Sequence, residues 1–277
     1  MIPRKLLLPL SDTPCGAAAL ATGVLLAHQW RAHLAGLIVQ IDSRDVAPLA
    51  GEGLSGAMIE DMMRAAERDG ADRTRRLLQA FDAAAGGAGL ADRSIETRRG
   101  RSEEVVPSLA QLADLTILPH PDRARDDMAA DTLHAVLFDS GRPVLIAPPV
   151  APPALGRRCC VAWNGTVESA AALAAMLPVL KQAEAVRILH AGAYQRRGPI
   201  AADVVPYLAL HGIPADAVEF APRSRDVGAG LLQASADFSA DLLGMGAYSH
   251  SRLRQLILGG VTRHVLENSP VAVLMAR

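Results

Sequence analysis

Aromatic residues make up only 3% of this 277-residue chain. A platform on which successive bases stack needs more of them. An excess of one charge is missing too: 28 Lys and Arg stand against 29 Asp and Glu, for a net charge of −1. Proteins with general nucleic-acid affinity neutralise phosphates with a basic face, so no such partner is expected. Cysteine is scarce. Cys15, Cys159 and Cys160 are an odd number without a CxxC, which argues against a disulfide framework or a zinc site. A reducing, cytoplasmic compartment fits that usage. The amino-terminal apolar run in MIPRKLLLPLSDTP has only about six residues, too few for a signal-peptide core. No window approaches the roughly 20 apolar residues of a membrane helix.

The short signatures of several enzyme classes are absent as well. The sequence contains no GxSxG elbow and no HExxH, so hydrolase and metalloenzyme readings lack support. GMGAYS matches GxGxxG only superficially, because Ser249 stands where the third glycine belongs. It also follows a late strand, whereas a dinucleotide fingerprint follows the first. Cys15 lies near a helix start, where a thiolate would be stabilised, but packing is the plainer role for it and for Cys159 and Cys160. His250 and His264 flank a glycine loop and could meet phosphate or carry protons. A solvated or helix-packing histidine is the plainer alternative, as a surface helix is for Arg252 and Arg254. No catalytic residue and no metal ligand is expected.

What the chain does have is an internal repeat. KLLLPLSDT opens one half and RCCVAWNGT the other, with Thr13 and Thr166 as equivalent last positions. Each is an apolar run closed by small polar residues, as in a strand buried on both faces. ADLTILP from Ala113 matches ADLLGMG from Ala240, and RPVLIAPP matches SPVAVLMA. Asp114 and Pro143 are 29 residues apart, as are Asp241 and Pro270. Two homologous domains are expected, 1–150 and 155–277, joined by the proline-rich, semi-rigid PPVAPPALG.

Strands are expected near 5–10, 34–41, 93–98, 114–119 and 143–147, then near 158–163, 185–190, 217–221, 241–245 and 271–275. Helical segments separate them. Ala17 to His33 is alanine-rich, and Gly56 to Ala85 is amphipathic with Arg64, Glu67, Arg68, Arg73 and Arg76 on its polar side. Alternating strands and helices predict an α/β protein: two tandem doubly wound domains, each a five-stranded parallel sheet with helices on both faces. Thr13 to Asp114 spans 101 residues and Thr166 to Asp241 only 75. The extra length is expected after the second strand, around 42–70.

In such sheets ligands bind at the carboxyl ends of the strands. GMGAYSHSRLRQLILGGVTRHVL, from Gly244 to Leu266, lies at one such end. Gly244 and Gly246 allow a sharp turn, and Gly259-Gly260 precedes a helix start that favours an anion. Close packing of strand on helix explains the same glycines, and both readings stand at this point.

GAYSHSRLRQLILGGVTRHVL followed by PVAVLM resembles the carboxyl-terminal signature of the universal stress protein (UspA) family. The resemblance extends over the chain as two tandem domains and implies a Rossmann-like fold of the adenine nucleotide alpha hydrolase type. Nucleotide-binding members carry G-x2-G-x9-G-[S/T], whose amides and last hydroxyl hold ATP phosphates, and an Asp at the end of the first strand that contacts the nucleoside. In the second half Gly246 takes the first glycine position, Ser249 replaces the second, and Gly259 takes the third. Gly260 replaces the final hydroxyl residue, and Asn164 the Asp. The resemblance therefore implies a site of Ala162, Asn164, Gly246, Ser249, His250, Gly259, Gly260, Val261 and Thr262 for an adenine nucleotide, ATP with Mg2+, or another anion. In the first half Ser11 stands in the Asp position with Asp12 after it, no glycine matches, and Asp122, Asp126, Asp127 and Asp131 would repel a polyphosphate. No ATP is expected there.

The function expected is that of a non-enzymatic cytoplasmic stress sensor or adaptor. A nucleotide-free interaction scaffold and a slow ATPase are the alternatives. Family domains pair through their last strands, so RPVLIAPP and SPVAVLMA are expected to pair within the chain as a pseudo-dimer. A homo-oligomer through other faces stays open, and protein partners are unknown.

Overall fold

The computed structural model describes residues 2–41, 56–121, 127–247 and 260–277. The first half runs β1 (Lys5–Pro9), α1 (Pro14–Trp30), β2 (His33–Gln40), α2 (Gly56–Gly87), β3 (Arg93–Arg99), α3 (Ser102–Ala110), β4 (Leu115–Leu118), α4 (Asp127–Asp139) and β5 (Val144–Ile146). The second runs β6 (Arg158–Ala162), α5 (Val167–Leu180), β7 (Ala185–His190), α6 (Ala201–Leu210), β8 (Asp216–Glu219), α7 (Val227–Asp237), β9 (Leu242–Gly246), α8 (Gly260–Asn268) and β10 (Ala272–Ala276).

All strands join one ten-stranded sheet in the order β3-β2-β1-β4-β5-β10-β9-β6-β7-β8. Each half is parallel within itself. The seam is antiparallel, with Val273 opposite Ile146, Leu274 opposite Leu145 and Met275 opposite Val144. RPVLIAPP and SPVAVLMA thus pair within the chain. Because the seam is antiparallel, the carboxyl ends of the two sets of strands point in opposite directions.

The central strands are apolar because both faces are covered. One core cluster lies under α1, α2, α5 and α6, with Leu6, Leu34, Phe81, Val161 and Met176 in it. The other lies under α3, α4, α7 and α8, with Leu37, Val136, Leu243 and Val265. The sheet edges carry charge instead. β3 reads RSIETRR and is mostly exposed, which discourages pairing with another chain.

The repeat has physical reasons. Thr13 accepts from the Gly16 N–H and Thr166 from the Ser169 N–H, so both cap the first helix of their half. The Asp114 carboxylate accepts from the backbone N–H of Arg4 and Lys5, and that of Asp241 from Gly156, Arg157 and Arg158. Each aspartate therefore clamps the start of its half's first strand. α1 begins three residues before the expected start, since Thr13 caps it and Pro14 fits its first turn. It stops at Trp30, followed by Arg31 in a left-handed conformation (φ 51°).

The halves differ after their second strands. α2 has 32 residues and α6 only 10. Phe81 of α2 is fully buried, and its ring fills the space over Gly36, where a Cβ would come within 2.9 Å of it.

Candidate functional site

β6 ends at Ala162, and the chain turns through Asn164 and Gly165 into α5. Gly165 has φ +77°, a conformation costly to other residues. The Thr166 cap is reciprocal: its N–H donates to Ser169 Oγ at 3.1 Å, and the Ser169 N–H donates to Thr166 Oγ1 at 3.2 Å. Asn164 Oδ1 accepts from the Thr166 N–H at 3.2 Å and from the Thr166 hydroxyl at 3.0 Å. The segment after β7 folds over this turn. Arg196 N–H donates to the Asn164 carbonyl, and Trp163 Nε1 donates to the Pro199 carbonyl, both at 2.8 Å.

β9 ends beside it at Gly246. A Cβ there would lie 2.6 Å from Glu168 C and Ser169 N, so Gly246 lets the first turn of α5 approach the strand end. At Gly260, the first residue of α8, a Cβ would meet nothing within 4 Å among the described residues. Packing thus accounts for Gly246 and not for Gly260, which starts a helix whose first N–H groups have no partner within the helix.

These ends enclose a cavity of about 530 Å³, within the range of small-molecule sites. Ala162, Asn164, Gly246, Gly260, Val261 and Thr262 of the expected site line it. Ser249, His250 and Gly259 lie outside the described residues, as do Arg252 and Arg254. Sequence reasoning missed Tyr194 and Arg196 after β7, and Ser224, Arg225 and Asp226 before α7, all of which also line it. Ser224 and Arg225 both have positive φ, 50° and 67°. Their turn is closed by Arg223 N–H to Asp226 O at 3.0 Å and Asp226 N–H to Arg223 O at 2.7 Å. No glycine or asparagine marks it in the sequence.

Asp226 caps α7 by accepting from the Ala229 N–H at 3.1 Å. Its other oxygen lies 2.7 Å from His264 Nδ1 on α8. His264 thus joins α8 to α7, the helix-packing alternative. Cys159 and Cys160 are buried in β6. Burial pushes the Cys160 thiol up to about 12 and the Cys159 thiol up as well, so neither supplies a thiolate. Among the described residues no group of three or more His, Cys, Asp or Glu could hold a metal ion, and no helix is long and apolar enough to cross a membrane.

In the first half the equivalent turn carries an ion-paired aspartate among the described residues. Asp12 takes Arg73 Nε at 3.1 Å and Arg76 Nη2 at 3.3 Å, both from α2, and Arg73 also donates to the Val39 carbonyl. Partial burial raises the Asp12 carboxyl pKa, but the hydrogen bonds and charge of Arg73, with Arg76, outweigh it and hold the pKa below the ordinary value.

Residues 157–277 match the model of the universal stress protein family. The match is confined to the second half of the chain, which is similar to that family. Universal stress proteins are also what its fold resembles over the full length. A universal stress protein from Archaeoglobus fulgidus superposes with a TM-score of 0.72 at 16% identity, covering 99% of this chain and 98% of the other. A putative universal stress protein from Pseudomonas aeruginosa gives 0.56 at 16% identity over 99% and 93%. A protein of unknown function from the same species gives 0.58 at 16% identity over 99% and 92%. No curated protein matches the chain.

Proposed function

We propose that this protein acts as a universal stress protein, a non-enzymatic cytoplasmic sensor or adaptor, whose second half binds an adenine nucleotide or another phosphate-bearing anion. The observation that carries this is the cavity at the ends of β6 and β9, which the first turns of α5 and α8 both reach. Helix starts offer N–H groups and a positive dipole end to an anion. Arg196 and Arg225 add positive charge to the lining. Gly260 supplies an amide but no hydroxyl, so any phosphate there relies on backbone donors. The one carboxylate before α7 that lines the cavity, Asp226, is engaged by the Ala229 N–H and His264, which favours binding over hydrolysis.

Calorimetric titration with ATP and magnesium tests the reading. Binding below millimolar nucleotide, without phosphate release, is expected. No binding at millimolar nucleotide would remove the ligand and leave the interaction scaffold.

A further inference from the structure

The cavity contains one side chain whose hydrogen-bonding polarity the structure fixes. The two ends of an asparagine amide look alike, and only their partners tell them apart. For Asn164 the partner decides: a backbone N–H can only donate, and the Thr166 N–H points at the amide at 3.2 Å. That atom is therefore the carbonyl oxygen, and the Thr166 hydroxyl donates to it too. The NH2 end is left over. Among the described residues Asn164 Nδ2 has no hydrogen-bond partner, and Asn164 lines the cavity.

The neighbouring side chains have their protons committed. The Thr166 hydroxyl proton goes to Asn164 Oδ1, the Ser169 hydroxyl proton to the Thr166 carbonyl, and the Trp163 N–H to the Pro199 carbonyl. Both hydroxyl oxygens already accept backbone N–H groups. In this corner the amide NH2 is what remains, and it can only donate.

We infer that Asn164 selects a ligand group that is a hydrogen-bond acceptor, an oxo or phosphate oxygen. An aspartate here would keep one oxygen on Thr166 and turn the other, an acceptor, to the ligand. It would select an amino or hydroxyl group. Position 164 is thus a specificity switch whose sign is set two residues away, by Thr166. The inference rests on the proposed nucleotide site.

Two probe pairs test it in the full chain. ATP and inosine triphosphate differ by an amino and an oxo group on the base. AMP and adenosine 3′,5′-bisphosphate differ by a hydroxyl and a phosphate on the sugar. The wild type should prefer the acceptor-bearing member of one pair by about tenfold, the worth of one hydrogen bond. The pair that responds tells an oxo group from a phosphate. Asn164→Asp, nearly isosteric, should reverse that preference. Binding with the same preference in both proteins, or none, overturns the inference while the nucleotide site stands. Binding of no probe to either protein overturns the site and the inference together.

Discussion

The two halves share a strand order, a threonine helix cap and an aspartate clamp, yet the turn after the first strand holds an ion-paired aspartate in one half and borders a cavity in the other. In the first half Asp12 is covered by Arg73 and Arg76 from a 32-residue helix. In the second the corresponding place is Gly165, against which the Gln195 side chain and the Pro199 carbonyl of the segment after β7 pack, and the α-helix that follows β7 is the 10-residue α6. The contrast shows that the turn after the first strand takes different partners in the two halves, set by the connection after the second strand. One carboxylate at position 12, where the other half has glycine, makes this turn an anchor for α2.

The strongest way to break the contrast is to release α2. Phe81→Ala removes the fully buried ring that seats the helix against Gly36. It should cost about 3–5 kcal/mol, read from urea unfolding, and raise hydrogen exchange in β2 and β3 more than in β6 to β8. Equal loosening of both halves would show that the halves do not differ in this way.

A smaller effect sharpens it. Thr13→Ala and Thr166→Ala delete the same cap from the two halves, and each should cost about 1 kcal/mol. Only Thr166→Ala should also change ligand affinity, because it removes the hydroxyl that donates to Asn164 Oδ1 and leaves the amide held by the backbone N–H alone. Matching affinity changes in both variants would contradict the assignment of the site to the second half.

The smallest effect concerns the anchor. Asp12→Asn should cost below about 1 kcal/mol, since the ion pairs are partly exposed. The pKa of Asp12 is depressed in the folded protein, so its contribution is present above the unfolded value. It is lost as pH falls through 3.8 and below, toward the folded value. The stability gap between wild type and Asp12→Asn should hold near neutral pH and close in acid. A gap that widens in acid would refute the assignment.

Much of this architecture was legible in the sequence. Strands buried on both faces leave unbroken apolar runs, and every expected strand lies within two residues of an observed one. The spacing of Asp114 and Asp241 was visible as a repeat, though its cause, a carboxylate holding three backbone N–H groups in the second half, was not. The site was less legible. Asp12 lies 61 and 64 residues from its arginines, and no local pattern encodes such a pairing. Ser224 and Arg225 adopt a turn that their residue types do not favour, so tertiary packing imposes it. Asn164 was visible as a departure from an aspartate. Its consequence depended on a hydrogen bond to Thr166 that only coordinates reveal.

The antiparallel seam between β5 and β10 has an evolutionary consequence. Two identical subunits related by a twofold axis carry every substitution twice. A change that closed one of their sites would close both. Here the same kind of interface is formed within a single chain, so each side mutates alone. It also persists on dilution, because tethering keeps the two sides at a high effective concentration. Covalent linkage thus lets one half hold an ion-paired aspartate at its first turn while the other borders a cavity there.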